Sequence, residues 1–138
     1  MNRDRLRATL SRHEGRRLKP YQDTRGHLTI GVGRNLDTGL RESEVDFMLD
    51  NDIDSCIKAL SAVLPCFAAL DDVRAEVLVN MVFNQGITGF MRNNPKMIAA
   101  LEAKDYPTAA KEMLDGPWKD QVKGRAYELA AAMESGKF

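Results

Sequence analysis

Histidine and cysteine are scarce in this chain. His13 and His27 are its only imidazoles, Cys56 and Cys66 its only thiols, and no CxxC occurs. A zinc-type cluster or a redox dithiol therefore has no donor set to build from, and no metal or cofactor is expected. The two thiols read as ordinary buried or half-buried side chains. Long apolar runs are missing as well: none approaches the ~18 residues of a membrane span, so no stable membrane association is expected. The first residues, MNRDRLRATLSRHEG, alternate charge with apolar residues and lack the apolar core of a signal peptide. The expectation is synthesis in a cytoplasm, with help needed to reach any target outside it. Repeats, low-complexity tracts and Gly/Ser linkers are absent too.

Net charge is zero, but the charges are unevenly spread. Residues 1–41 carry ten Lys/Arg against four Asp/Glu, and residues 42–72 carry Lys58 against eight acids. Two solvated faces that attract each other account for this as well as a basic lobe facing an anionic polymer does. Nucleic acid is not the expected polymer, because no helix-turn-helix signature, zinc spacing or aromatic-rich basic strand is present.

With 138 residues, 43% hydrophobic and 29% charged, the chain suits a single domain over 1–138 with its own core. Residues 2–13 predict a helix capped by Asn2, with Leu6 and Leu10 on one stripe and Glu14 extending it to the helix end. Glu14 is thus expected to be half-buried. LKPYQD and HLTIGVG flank TRG, the pattern of a short hairpin, and Pro20 confines the first strand to an edge. RNLDTGL reads as loop. From Glu42 onward the pattern is helical: 42–63 as a long helix stopped by Pro65, then helices opened by Asp71 or Asp72, by Pro95, and by Asp105 with Pro107, and a last one over about 125–133. Asp52 falls on the apolar face of the long helix, and a buried acid requires a partner. The architecture expected is α+β: a small β-containing lobe over about 14–41, helical segments at 1–13 and 64–138, and 42–63 as the connecting helix.

Glu14, Asp23 and Thr29 lie on consecutive short elements and must be close in space. A more buried carboxyl that keeps its proton, a wetter one that stays ionised and orients a water, and a hydroxyl to hold that water together suit acid/base hydrolysis. Spacing alone does not single them out, since two acids nine apart occur in most proteins.

The run Glu14, eight residues, Asp23, five residues, Thr29, then IGVG resembles the phage-type lysozymes, the endolysins of the T-even phage lysozyme family, without a gap. LDDVRAEVLVNMVFNQGITGF (70–90) is similar to the family's central helix and following turn, and PWKDQVKGRA (117–126) to its Trp…Arg-Ala segment. The resemblance implies a lysozyme-like fold and an N-acetylmuramidase. It would cut the β-1,4 bond between N-acetylmuramic acid and N-acetylglucosamine in peptidoglycan, with inversion. Glu14 would be the general acid, and Asp23 with Thr29 would place the water. The two carboxyls would stand about 6.5–9.5 Å apart. It further implies Arg125 as an orienting partner of Glu14, and Phe83 and Asn84 near the substrate, although Phe83 reads equally well as core. Trp118 reads as core. Arg34 replaces the family's usual His, whose partner corresponds to Asp52, so an Arg34–Asp52 salt bridge is expected. After GRNLDTGL the chain lacks the extra strand and loop of longer members. A monomer that relies on a holin-type pore for access to the wall is implied. The rival readings are a lytic transglycosylase and a non-catalytic wall-binding module on the same fold.

Overall fold

A computed structural model describes all residues 1–138. Its element order is α1 (Arg3–Glu14), β1 (Arg17–Gln22), β2 (Leu28–Gly31), β3 (Arg34–Asn35), α2 (Glu42–Val63), a 3₁₀ turn (Pro65–Ala69), α3 (Asp72–Asn93), α4 (Pro95–Glu102), α5 (Tyr106–Asp115), α6 (Trp118–Val122) and α7 (Gly124–Ser135). The architecture is the expected lysozyme-like α+β fold, a small antiparallel sheet with many helices. No helix is long and apolar enough to cross a membrane. The contacts divide the chain into two units, Met1–Phe47 and Met48–Phe138, with the division inside α2. The first unit includes α1, which the sequence reading grouped with the helical segments.

In the first unit, Asn2 caps α1 by accepting from the Arg5 amide at 2.9 Å. The helix buries no residue: Leu6 is 41% and Leu10 45% exposed. The expected buried stripe is therefore absent. Two leucines among six charged residues do not make an apolar face broad enough to bury. The sheet order is β1-β2-β3, all antiparallel. Tyr21 pairs with Thr29 and Gln22 with Leu28, whereas Arg17 pairs with Gly31, so the register shifts between Arg17 and Tyr21. Pro20, which has no N–H to give, sits in that irregular stretch of an edge strand. Arg34 and Asn35, expected as loop, form β3 against Ile30 and Thr29. A two-residue strand leaves no alternation to read. Gly31 (φ 68°) and Gly33 (φ 66°) let the chain reverse between β2 and β3.

Helix α2 begins where expected but without a side-chain cap from Arg41. Instead Glu44, in its first turn, accepts from the Arg41 amide at 2.8 Å, one half of a capping box.

The hydrophobic core lies in the second unit, where α5 packs chiefly against α7 and α4. Met81, Phe90, Met97, Leu101, Met113, Trp118 and Met133 are fully buried. Asp71 caps α3 through the Arg74 amide, and Asp105 caps α5 through the Thr108 amide. Gly86, at φ 69° and ψ 157°, breaks α3 inside the NQGITG segment, where the sequence indicates an end. Arg74 closes the unit. It donates to the Met133 and Glu134 carbonyls at 2.7 and 2.8 Å, so its cation meets the negative end of α7. Its guanidinium stacks 3.8 Å from the Tyr106 ring centre. Burial pushes the half-buried Cys56 and Cys66 thiols up, with the charge of Asp52 adding to the effect at Cys56.

Candidate active site

Asp23 ends the first arm of the β1–β2 hairpin, and its carboxylate turns back onto its own loop. Oδ1 accepts from the Arg25 amide at 2.8 Å and the His27 amide at 2.9 Å. The loop is closed by Asp23 N–H to the His27 carbonyl and Gly26 N–H to the Asp23 carbonyl, both 3.0 Å. Gly26 takes φ 83°, open to glycine. The His27 amide above all, then the Arg25 amide and the nearby His27 ring, hold the Asp23 carboxyl below its ordinary 3.8 against a smaller opposing effect of desolvation. Asp23 is therefore held in place and favoured in its ionised form.

Thr29 lies on β2 and is 3% exposed. Its hydroxyl donates to the His27 carbonyl at 3.0 Å. The proton imagined for a catalytic water is thus already used within the loop, while the oxygen lone pairs remain acceptors. Thr29 and Asp23 grip His27 from opposite sides, one at its carbonyl and one at its amide. The signal for this was in the sequence: Asp-x-x-Gly (Asp23–Gly26) is the composition of a turn in which the aspartate bonds its own backbone.

Glu14 is the last residue of α1. It is exposed, whereas Asp23 is partly covered, the reverse of the expected order. The reason is the polar character of α1, which gives Glu14 no buried stripe to continue. Within the first unit Glu14 has no hydrogen-bond or ion-pair partner. Its carboxylate lies against the turn between β2 and β3, where a Cβ built on Gly33 would stand 3.1 Å from Oε2.

Arg34, expected to pair with Asp52 of the second unit, has a partner inside its own unit. Arg34 Nη2 is bonded to Glu44 Oε2, and Arg41 Nη2 to Glu44 Oε1. Asp52 is exposed, so the premise of a buried acid in need of a cation fails. A 22-residue helix whose buried positions reduce to Leu60 leaves even its apolar stripe largely open.

In the second unit, Arg125 Nε donates to Asn80 Oδ1 at 2.8 Å, and Nη2 reaches the same oxygen. Sequence reasoning gave no hint of Asn80, because the pair is 45 residues apart. Phe83 is exposed rather than core, and Asn84 Oδ1 accepts from the Trp118 indole at 3.1 Å. Trp118 is core, 1% exposed. A cavity of about 530 Å³ also belongs to this unit. Leu49, Ile53, Ile57, Phe67, Ala75, Val79 and Phe83 form most of its wall, with Asp72, Glu76, Asn80 and Arg125 among the remainder. It contains neither Glu14 nor Asp23. A predominantly apolar wall offers few hydrogen bonds to a sugar.

The sequence profile of the family described as phage lysozyme matches residues 11–131. The chain is 24% identical to probable T4-type lysozyme 1 of Dictyostelium discoideum, with 95% of this chain and 94% of that protein aligned. It is 29% identical to the endolysin of Acyrthosiphon pisum secondary endosymbiont phage 1, over 87% of this chain and 82% of that one. It is 32% identical to the pre-baseplate central spike protein Gp5 of Enterobacteria phage T4, over 92% of this chain but only 27% of the spike protein. Taken with the α+β fold, these matches place the chain in the phage lysozyme family, as a glycoside hydrolase of the lysozyme type.

Proposed function

We propose that this lysozyme is a muramidase that hydrolyses the β-1,4 bond between N-acetylmuramic acid and N-acetylglucosamine in bacterial peptidoglycan. The observation that carries this reading is the pairing of an ionised, backbone-held Asp23 with an uncommitted Glu14 on the same sheet-bearing unit. Glu14 donates its proton to the glycosidic oxygen as that bond breaks. Asp23 takes a proton from the water that attacks the anomeric carbon from the opposite face, and the Thr29 oxygen accepts from that water. The product is inverted, which requires space for the water between the carboxyls. Because Glu14 is exposed in the free protein, the bound saccharide supplies the exclusion of water around it. Asp23 needs no such help.

In this reading a monomer leaves the host cytoplasm through a holin-type pore and lyses the host by acting on the wall; the relative named endolysin supports the lytic setting. The match to the T4 spike protein favours a second setting, a lysozyme carried on a phage tail structure. Fractionation separates them: a free endolysin stays in the lysate supernatant, and a tail lysozyme sediments with the virions.

Digestion of purified peptidoglycan tests the chemistry. A muramidase yields reducing N-acetylmuramic acid ends of hydrolysed mass, with the inverted anomer first in the NMR time course. An anhydro end identifies a lytic transglycosylase and overturns the proposal.

A further inference from the structure

Gly31 and Gly33 flank Val32 in the turn between β2 and β3, at nearly equal positive φ, 68° and 66°. Both make the same demand on the backbone, one that an L side chain meets only with strain. Their surroundings differ. A Cβ on Gly31 would meet nothing within 4 Å, whereas one on Gly33 would stand 3.1 Å from Glu14 Oε2 and 3.5 Å from its Cβ and Cδ. Turn geometry accounts for a glycine at both positions. It does not account for the acid being lodged against the space that only the second one leaves.

We infer that Gly33 is a positioning residue for the Glu14 acid: its missing side chain provides the room in which the carboxylate rests beside the turn. This rests on the proposed role of Glu14. The atom displaced by a methyl at 33 is the far end of a flexible side chain, so the fold accommodates it by a shift of a few tenths of an ångström. Catalysis is less tolerant than folding, because proton donation depends on the direction and reach of the carboxyl, and small misplacements there cost large factors in rate. The strain at φ 66° is a separate effect, and Gly31 supplies the matched control for it.

The experiment compares Gly33→Ala with Gly31→Ala, using Glu14→Gln in parallel, on a soluble peptidoglycan oligosaccharide. The two alanine variants should melt at similar temperatures. Gly33→Ala should lose about tenfold in kcat beyond Gly31→Ala with little change in KM, and the ¹³C resonance of the Glu14 carboxyl should move only in Gly33→Ala. Equal kcat losses, or an unmoved Glu14 resonance in Gly33→Ala, would overturn the inference. Should either alanine variant melt below the assay temperature, Gly33→Asn and Gly31→Asn repeat the comparison, since asparagine tolerates positive φ better and brings the same Cβ. Full activity in Glu14→Gln would overturn the acid assignment itself and, with it, the catalytic part of the inference; a Glu14 resonance that still moved would then show that the two failures are separate.

Discussion

Asp23 holds His27 in two ways: Oδ1 accepts from the His27 amide at 2.9 Å, and Oδ2 stands 3.5 Å from Nδ1 of the His27 ring. The first contact is independent of pH, and the second becomes an ion pair only when the imidazole carries its proton. The carboxylate is consequently fixed chiefly by backbone amides, with the His27 ring adding a smaller lowering effect.

Asp23→Asn tests this arrangement. The amide oxygen still accepts from Arg25 and His27, so the loop should fold and the melting temperature should change little near neutral pH. Activity should fall by about 10²–10⁴, the usual contribution of a positioned base. In the wild type the folded carboxyl lies below 3.8. The stability it contributes is fully present above the unfolded value and is lost as pH falls through the folded one. The acid limb of kcat/KM due to Asp23 should accordingly lie below 3.8. A limb above that value would contradict the amide-held carboxylate.

Glu44 anchors Arg34 and Arg41 at the start of α2. Bonds from the Arg41 guanidinium and amide first, then the charge of Arg34, bring its carboxyl from 4.5 to about 2. The depressed value means that its contribution to stability is complete above 4.5 and disappears as pH falls toward 2. The group is partly open to solvent, so salt should weaken the effect. Thermal melts across this range should show a steeper acid loss for the wild type than for Glu44→Gln, with the difference shrinking in 1 M salt. Parallel curves would refute the network's role.

The elements visible from sequence alone were those written locally. Asn2, Asp71 and Asp105 begin helices because a short polar side chain next to a helical run satisfies free amides. Pro65 and Pro95 mark boundaries because they lack a donor. The hairpin and its turn were legible for the same reason, as were Asp23 at the turn and Thr29 on the returning strand. What failed depended on distance in three dimensions. Glu44, ten residues from Arg34 and in the first turn of the following helix, takes its guanidinium, a bond that the sequence reading did not anticipate. The burial of Glu14 was inferred from a stripe of two leucines that the fold leaves open. The use of the Thr29 proton within the loop depends on where the His27 carbonyl lies, which side-chain spacing does not encode.

Trp118 is the only tryptophan and reports on the second unit's core. Its emission should be blue-shifted in the native state and move red on unfolding. Trp118→Ala should cost about 3–5 kcal/mol in chemical denaturation. Trp118→Phe should cost less, since it keeps most of the packing but leaves Asn84 without its indole donor. Equal losses would show that the ring's packing is not what the site depends on.

Lys104 adopts φ 57° just beyond α4. Its amide donates to the Leu101 carbonyl and the next amide, of Asp105, reaches back to Ala100. This is a Schellman closure, whose left-handed position favours glycine. Lys104→Gly should therefore raise stability by about 1 kcal/mol, measured by urea unfolding with an unchanged slope. A loss of stability would mean that the lysine side chain contributes more than its backbone strain costs.

The central claim is that Glu14 is the acid of a two-carboxylate hydrolase, and the rate of wall clearing by Glu14→Gln tests it most directly. The exposed position of Glu14 leads to an expectation of unchanged folding, verified by circular dichroism and melting temperature, together with near-complete loss of turbidity clearing on purified peptidoglycan. A folded Glu14→Gln protein that clears the wall at the wild-type rate would contradict the account.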